Sequence, residues 1–332
     1  MEDSAYTMTM KNPGLLQAQL FDGAGGSKTM TADEIDGWDA KDGTLWLHFD
    51  YSHAETIEWI RRAKQLDIFS KEFLLTEDTR PRVASINNGL LLALRGVNLN
   101  PQAEPEDMVG VRLWADESMI ITTVRRTLLS IADITAALQS GSGPQNSSEF
   151  IVDLARRLIS RMGPTLENIE DMLADLEEQT LGTGDATIRR QLSTIRRQSI
   201  VLRRYLSPQR DAMYRFYEEK VSWLREMDRM HSREVTDHLL RYIENLDSIR
   251  ERATVIHEEL VNNLSEQLNN RMYLLSMITT IFLPLGFLTG LFGINLGGIP
   301  GSDNSFAFSI FVGMLLIIAL VLLLLFKRKR WM

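Results

Sequence analysis

Eleven positions near the C-terminal end carry the chemistry this chain can do. Stepped alternately by three and four, they run Glu258, Asn262, Ser265, Asn269, Met272, Ser276, Thr279, Leu283, Gly286, Gly290 and Gly293. Three-four spacing repeats every seven residues, the seam of a helix bundle. Such a seam is ordinarily the most apolar line on a helix, yet this one is polar or small almost throughout. Its neighbours Leu274, Leu275, Ile278, Ile281, Phe282 and Leu285 are apolar. Amides and hydroxyls inside a membrane face a water-filled path or one another. The stripe therefore reads as a pore lining. Close helix packing through small residues is the competing reading. Met272 and Leu283 interrupt the polarity and would supply apolar constrictions of the kind that gate by dewetting.

Other chemistry is thin. The five histidines, His48, His53, His231, His238 and His257, form no His-Glu-x-x-His pair, so no zinc-hydrolase signature exists. His231 and His238 stand seven apart. His257 neighbours Glu258 and Glu259, but a solvent-exposed histidine without a ligand role is the plainer account. There is no cysteine, which removes disulfides and thiolate ligands. Walker, Gly-x-Ser-x-Gly and cysteine-nucleophile motifs are missing, so the chain reads as a non-enzyme without a cofactor.

The stripe needs a helix, and that helix needs a membrane. Residues 272–302 hold no charge, with Arg271 and Asp303 closing the run. Residues 306–326 form a second uncharged run of 21, followed by Lys327, Arg328, Lys329 and Arg330. A span takes about 20 apolar residues. The intervening loop has no Lys or Arg, so basic residues place it outside and both termini in the cytoplasm. Two helices cannot enclose water, so a pore requires several copies.

Upstream, residues 44–49, 89–95, 109–114 and 119–124 read as strands, and 54–66 and 70–75 as helices. These predict an α/β domain over residues 31–140, after a polar, Gly-rich, loosely ordered arm at 1–30. The arm lacks the basic and apolar regions of a signal peptide. Residues 141–144 read as a linker. A helical hairpin is expected over 146–232, with arms 146–181 and 185–230 broken at 182–184 and a kink at Pro208. From 233 a helix runs without Gly or Pro as far as Pro284, so 233–293 reads as a stalk entering the first span. Sixty such residues would measure about 90 Å. A loop at 294–304, a second span at 305–326 and a basic tail at 327–332 complete the organisation. The fold class is thus an α-helical membrane protein with a cytoplasmic α/β domain, a long stalk and two C-terminal transmembrane helices. Residues 1–150 carry 22 acids and 13 bases. That balance argues against nucleic acid as a partner.

The first span ends Thr289-Gly290-Leu291-Phe292-Gly293-Ile294-Asn295. A Gly-x-Asn here, before a second span and a basic tail, resembles the CorA family of divalent-cation channels. Ile294 stands where that family has Met. The continuation Leu296-Gly297-Gly298-Ile299-Pro300-Gly301 is similar to its zinc-transporting ZntB branch, as are Glu77-Asp78-Thr79-Arg80-Pro81-Arg82 and Ser207-Pro208-Gln209-Arg210-Asp211. The resemblance implies a homopentamer in a bacterial inner membrane, with a cytoplasmic funnel. It implies that the first span lines the pore and that Gly293, Ile294 and Asn295 form a selectivity filter. It also implies proton-coupled uptake of zinc, with nickel and cadmium accepted. Five Asn295 amides would hold the cation through its bound waters. No acid follows Asn295 until Asp303, unlike magnesium-type members, which favours an energy source other than passive capture. The alternatives are a magnesium, cobalt or nickel channel of the wider family, or a membrane-anchored scaffold.

Overall fold

A computed structural model describes residues 13–77, 80–180, 186–293 and 305–328. Seven strands make one sheet: β1 Leu15–Phe21, β2 Ser27–Thr29, β3 Leu45–Asp50, β4 Arg82–Ile86, β5 Gly89–Gly96, β6 Val109–Ala115 and β7 Met119–Val124. Their order is β2-β1-β3-β7-β6-β5-β4. Every pairing is antiparallel except β3 with β7. The parallel pair forces a crossover, which carries α2 Ala54–Arg62 and α3 Ile68–Leu75 as well as β4 to β6.

The four strands read from hydropathy are β3, β5, β6 and β7. The arm expected at 1–30 is corrected in part, because residues 15–29 supply β1 and β2. Polar Gln17 and Gln19 mask β1 in the sequence. Gln19 exchanges side-chain bonds with Ser27 and Thr29 on β2, and Gln17 accepts from Thr135. β4 and β5 turn at Asn87 and Asn88, both at positive φ (49° and 66°), as a two-residue hairpin demands.

Alternation along β3 sends its side chains to two cores. Leu45, Leu47 and Phe49 join Leu91, Trp114 and Ile121 beneath α2 and α3, which contribute Trp59, Ile60, Phe73 and Leu74. Trp46 points the other way and meets Phe150 at 4.8 Å. Phe150 belongs to α5, Ser147–Ser160, which lies beside α4, Leu129–Gln139. Asn146 caps α5, its side chain accepting from Glu149 N–H. Arg161 ties α5 to α4 through a forked contact with Asp133, both bonds 2.6 Å. A short helix, α1 Ala32–Asp36, completes the sheet's surroundings.

The expected hairpin over 146–232 differs in detail. Its first arm is two helices, α5 and α6 Gly163–Thr180, separated before Pro164, and α5 serves the sheet. Pro is favoured at a helix's first turn, so it starts α6 more readily than it continues α5. α7 is Ala186–Glu218 and passes through Pro208 without ending. α8, Glu226–Phe292, is one helix of 67 residues, starting seven positions before the expected 233. α9 spans Ala307–Arg328.

Two compact units divide the chain, residues 1–257 and 258–332. In the first, α8 buries Val235, Leu239, Ile243, Leu246, Ile249 and Ala253, a three-four stripe. Arg252 pairs with Glu177 of α6, and Arg203 of α7 with Asp247. In the second unit the remainder of α8 and α9 are each long and apolar enough to cross a membrane, and neither span is buried in the single chain. Phe292 and Phe311 meet at 5.1 Å.

Candidate ion-conduction path

Glu258, Asn262, Ser265, Asn269, Met272, Ser276, Thr279, Leu283, Gly286 and Gly290 all lie on α8, and all are exposed in the single chain. Uninterrupted helix keeps them on one face. Gly293 ends that helix: its N–H bonds the Thr289 carbonyl at 2.9 Å, and a Cβ there would stand 2.8 Å from the same oxygen. Glycine is therefore required at this turn. Ile294 and Asn295, the other two expected filter residues, lie outside the described residues, as does the loop at 296–304.

Hydrogen bonding along the face decides what it offers. Ser265, Thr279 and Thr280 each donate their hydroxyl proton to the carbonyl four residues back, at 2.7–2.9 Å. The proton is spent inside the helix. What these hydroxyls keep for a visitor is oxygen lone pairs. Water bound to a cation turns its hydrogens outward and needs acceptors. A back-bonded hydroxyl is thus suited to a hydrated cation and unsuited to an anion. Pro284 adds to the set, because it brings no N–H to the Thr280 carbonyl.

A shallow groove on this face is lined by Leu275, Ser276, Thr279, Thr280, Leu283, Pro284 and Phe287. Thr280 and Phe287 escape the three-four stepping, which takes one residue per step. At 100° per residue they fall within about 40° of the line joining Ser276 and Leu283, a signal the sequence already holds. Phe287 joins Leu283 as an apolar element of the groove. Gly286 and Gly290 face open space, where an added Cβ would meet nothing within 4 Å. Their smallness serves whatever approaches α8 from outside the chain.

Among the described residues, no group of three or more His, Asp or Glu side chains is placed to hold an ion. His231, His238 and His257 lie apart along α8. His48 is in the sheet, and burial pulls its pKa down to about 4.

The profile of the CorA-like Mg2+ transporter protein family matches residues 41–328. The chain belongs to the CorA family. With that family it is an ion transporter and not an enzyme. The Zinc transport protein ZntB of Yersinia pseudotuberculosis is 36% identical over 315 residues, 95% of each chain. The Divalent cation transporter CmaX of Pseudomonas aeruginosa is 39% identical over 324 residues, covering 96% of this chain and 97% of that one. The structure of full-length CmaX superposes with a TM-score of 0.85 at 38% identity, over 97% of this chain and all of that one. A CorA-type arrangement of α/β unit, long helix and two C-terminal spans is therefore the fold, and the α8 face is its candidate conduction surface.

Proposed function

We propose that the protein is a homopentamer that carries zinc into the cell through a central path lined by the α8 face. The observation that carries this reading is the set of back-bonded hydroxyls of Ser265, Thr279 and Thr280, which keeps oxygen lone pairs on the face where a hydrated cation would pass. Asn295 continues that chemistry as a ring of amide oxygens, with Gly293 and Ile294 completing the filter. The preference for zinc, with nickel and cadmium as further cargo, is supported by relatives named for zinc transport at 36% identity. A neutral mouth, with no acid between Asn295 and Asp303, supports coupling to protons over passive capture. The positive residues that follow the second span support a cytoplasmic C-terminus and an outer loop at 294–304.

A second reading is transport of divalent cations more widely, magnesium, cobalt or nickel, favoured by the relative named only as a divalent cation transporter. Flux into liposomes separates the two. Zinc, magnesium and the proton gradient are varied independently, with assembled wild type and Asn295→Leu. Zinc uptake that rises with an inward proton gradient and collapses in the Leu variant supports the proposal. Magnesium flux equal to zinc flux, or an Asn295→Leu variant as fast as wild type, overturns it. Native mass spectrometry in detergent reads the assembly, and a monomer or dimer as the main species would rule out the pentamer.

A further inference from the structure

In open α/β sheets a crevice forms beyond the carboxyl ends of adjacent parallel strands when their following helices leave on opposite faces. β3 and β7 meet that condition. β3 leads to α2, over the face of Leu47 and Phe49. β7 leads to α4, which lies with α5 over the face of Trp46 and His48. A crevice of about 490 Å³ opens there, within the range of small-molecule sites.

Its charged side chains are two cations and one carboxylate. Arg125 and Arg126 occupy the turn from β7 into α4 and line the crevice. No side chain caps α4, although the Ile131 N–H of its first turn already bonds the Leu128 carbonyl at 3.0 Å. His48 is only 4% exposed and also lines the crevice. Its Nδ1 lies 2.8 Å from the Thr122 hydroxyl, which itself accepts from Trp46 Nε1–H at 2.9 Å. The Thr122 proton has two outlets, His48 Nδ1 at 2.8 Å and the Leu47 carbonyl at 3.4 Å. Either tautomer of His48 fits this pair, so the ring brings a polar edge to the crevice lining. Asp50 is the one carboxylate of the lining, and its Oδ1 already accepts from Ser52 N–H. Leu128, Ile131 and Ala132 of the α4 side form an apolar wall.

We propose that this crevice binds a nucleotide-sized organic phosphate. Two arginines and a helix start without a side-chain cap flank the crevice, a setting that suits a phosphate. The apolar wall takes the base. Arg125 and Arg126 pair at present with Glu77 and Asp107, but these are exposed pairs of small net worth, and a phosphate can displace them. A metal ion does not fit, because no three-ligand cluster exists there. Such a ligand, held in the soluble unit, would let the state of the cell's phosphate compounds act on a metal transporter.

The test is calorimetric titration of the full-length protein in detergent with AMP, and separately with inorganic phosphate. Saturable AMP binding, one per chain, is expected. Arg125→Gln with Arg126→Gln should weaken it by about tenfold or more. Ala132→Phe, which fills the crevice from an exposed position without touching charge, should weaken it as much. Unchanged thermal unfolding of both variants keeps folding out of the comparison. Inorganic phosphate should compete, but more weakly than AMP. Absence of saturable AMP binding to wild type, or equal binding by all three proteins, overturns the proposal. Phosphate binding as tight as AMP overturns it too, since the apolar wall would then contribute nothing.

Discussion

The two units solve the same problem, apolar surface, in opposite ways. Residues 1–257 bury theirs internally: Leu45, Trp46, Leu47 and Phe49 are all wholly enclosed between two helical layers. Among the described residues of 258–332, Leu260 and Phe326 are the buried ones. Leu283, Phe287 and Leu316 are each about two-thirds exposed in the single chain. The first unit covers its apolar surface within the chain, while the second leaves surface for something outside the chain to cover. Burial seen in one chain therefore measures stability in the first unit and says little about function in the second. Hydrogen bonding is more telling there, because the back-bonds of Thr279 and Thr280 are made within α8 itself.

The contrast can be broken most sharply by one truncation in each unit. Leu47→Ala should cost about 2–5 kcal/mol in urea unfolding followed by circular dichroism, as expected for a leucine removed from a closed core. Leu316→Ala should cost less than about 0.5 kcal/mol in the same detergent. Equal losses would mean that α9 is as tightly enclosed as the sheet.

Acid should reach the first unit through His48. Burial is the main cause of its lowered pKa, outweighing the raising influence of Asp50 and Thr122. An unfolded imidazole titrates near 6.5 and the folded one near 4. Between those values the unfolded chain takes up a proton that the folded chain refuses. Stability therefore falls as pH drops through that window, by on the order of 3 kcal/mol in all. His48→Gln should flatten the slope between pH 6.5 and 4. Asp133, whose carboxyl is held low by its hydrogen bond to Arg161, acts at lower pH, where its protonation removes that support. A wild-type slope unchanged in the Gln variant would place the acid sensitivity elsewhere.

Within the second unit, cysteines sharpen the comparison, and the natural chain contributes no background. Ser276→Cys and Thr280→Cys should react with a small polar thiol reagent about tenfold faster than Leu274→Cys and Ile278→Cys in reconstituted protein. Labelling that is equal on both faces would remove the wet path from α8. The smallest effect belongs to the surface of the first unit. Glu58→Gln breaks an exposed pair with Arg62 and should cost less than about 1 kcal/mol.

What the sequence reveals tracks how each element is held. The two spans and β3, β5, β6 and β7 are legible because burial on both sides, or immersion in lipid, demands unbroken apolar runs. β1 is not, since Gln17 and Gln19 are kept in the sheet by side-chain bonds that no hydropathy pattern records. The division of α5 from α6 lies at Gly163-Pro164, a signal the sequence already holds. The α8 face was readable from spacing, but the state of its hydroxyls was not, because that is set by rotamers. Thr280 and Phe287 belong to it for a geometric reason, the difference between 3.5 and 3.6 residues per turn.

The parallel pairing of β3 with β7 also governs timing. β3 emerges from the ribosome early, but its central partner is made only some seventy residues later, so the sheet stays open until β7 and its neighbours have appeared. At roughly 5–20 residues per second, the stretch from the end of β7 to Met272, where the uncharged segment begins, takes about 7–30 s to synthesise. Sheet closure needs only milliseconds to seconds once its strands are present. The sheet, with α4 and α5 against it, thus has time to close before any described segment able to enter a membrane has left the ribosome, and insertion begins with that layer already folded on the nascent chain.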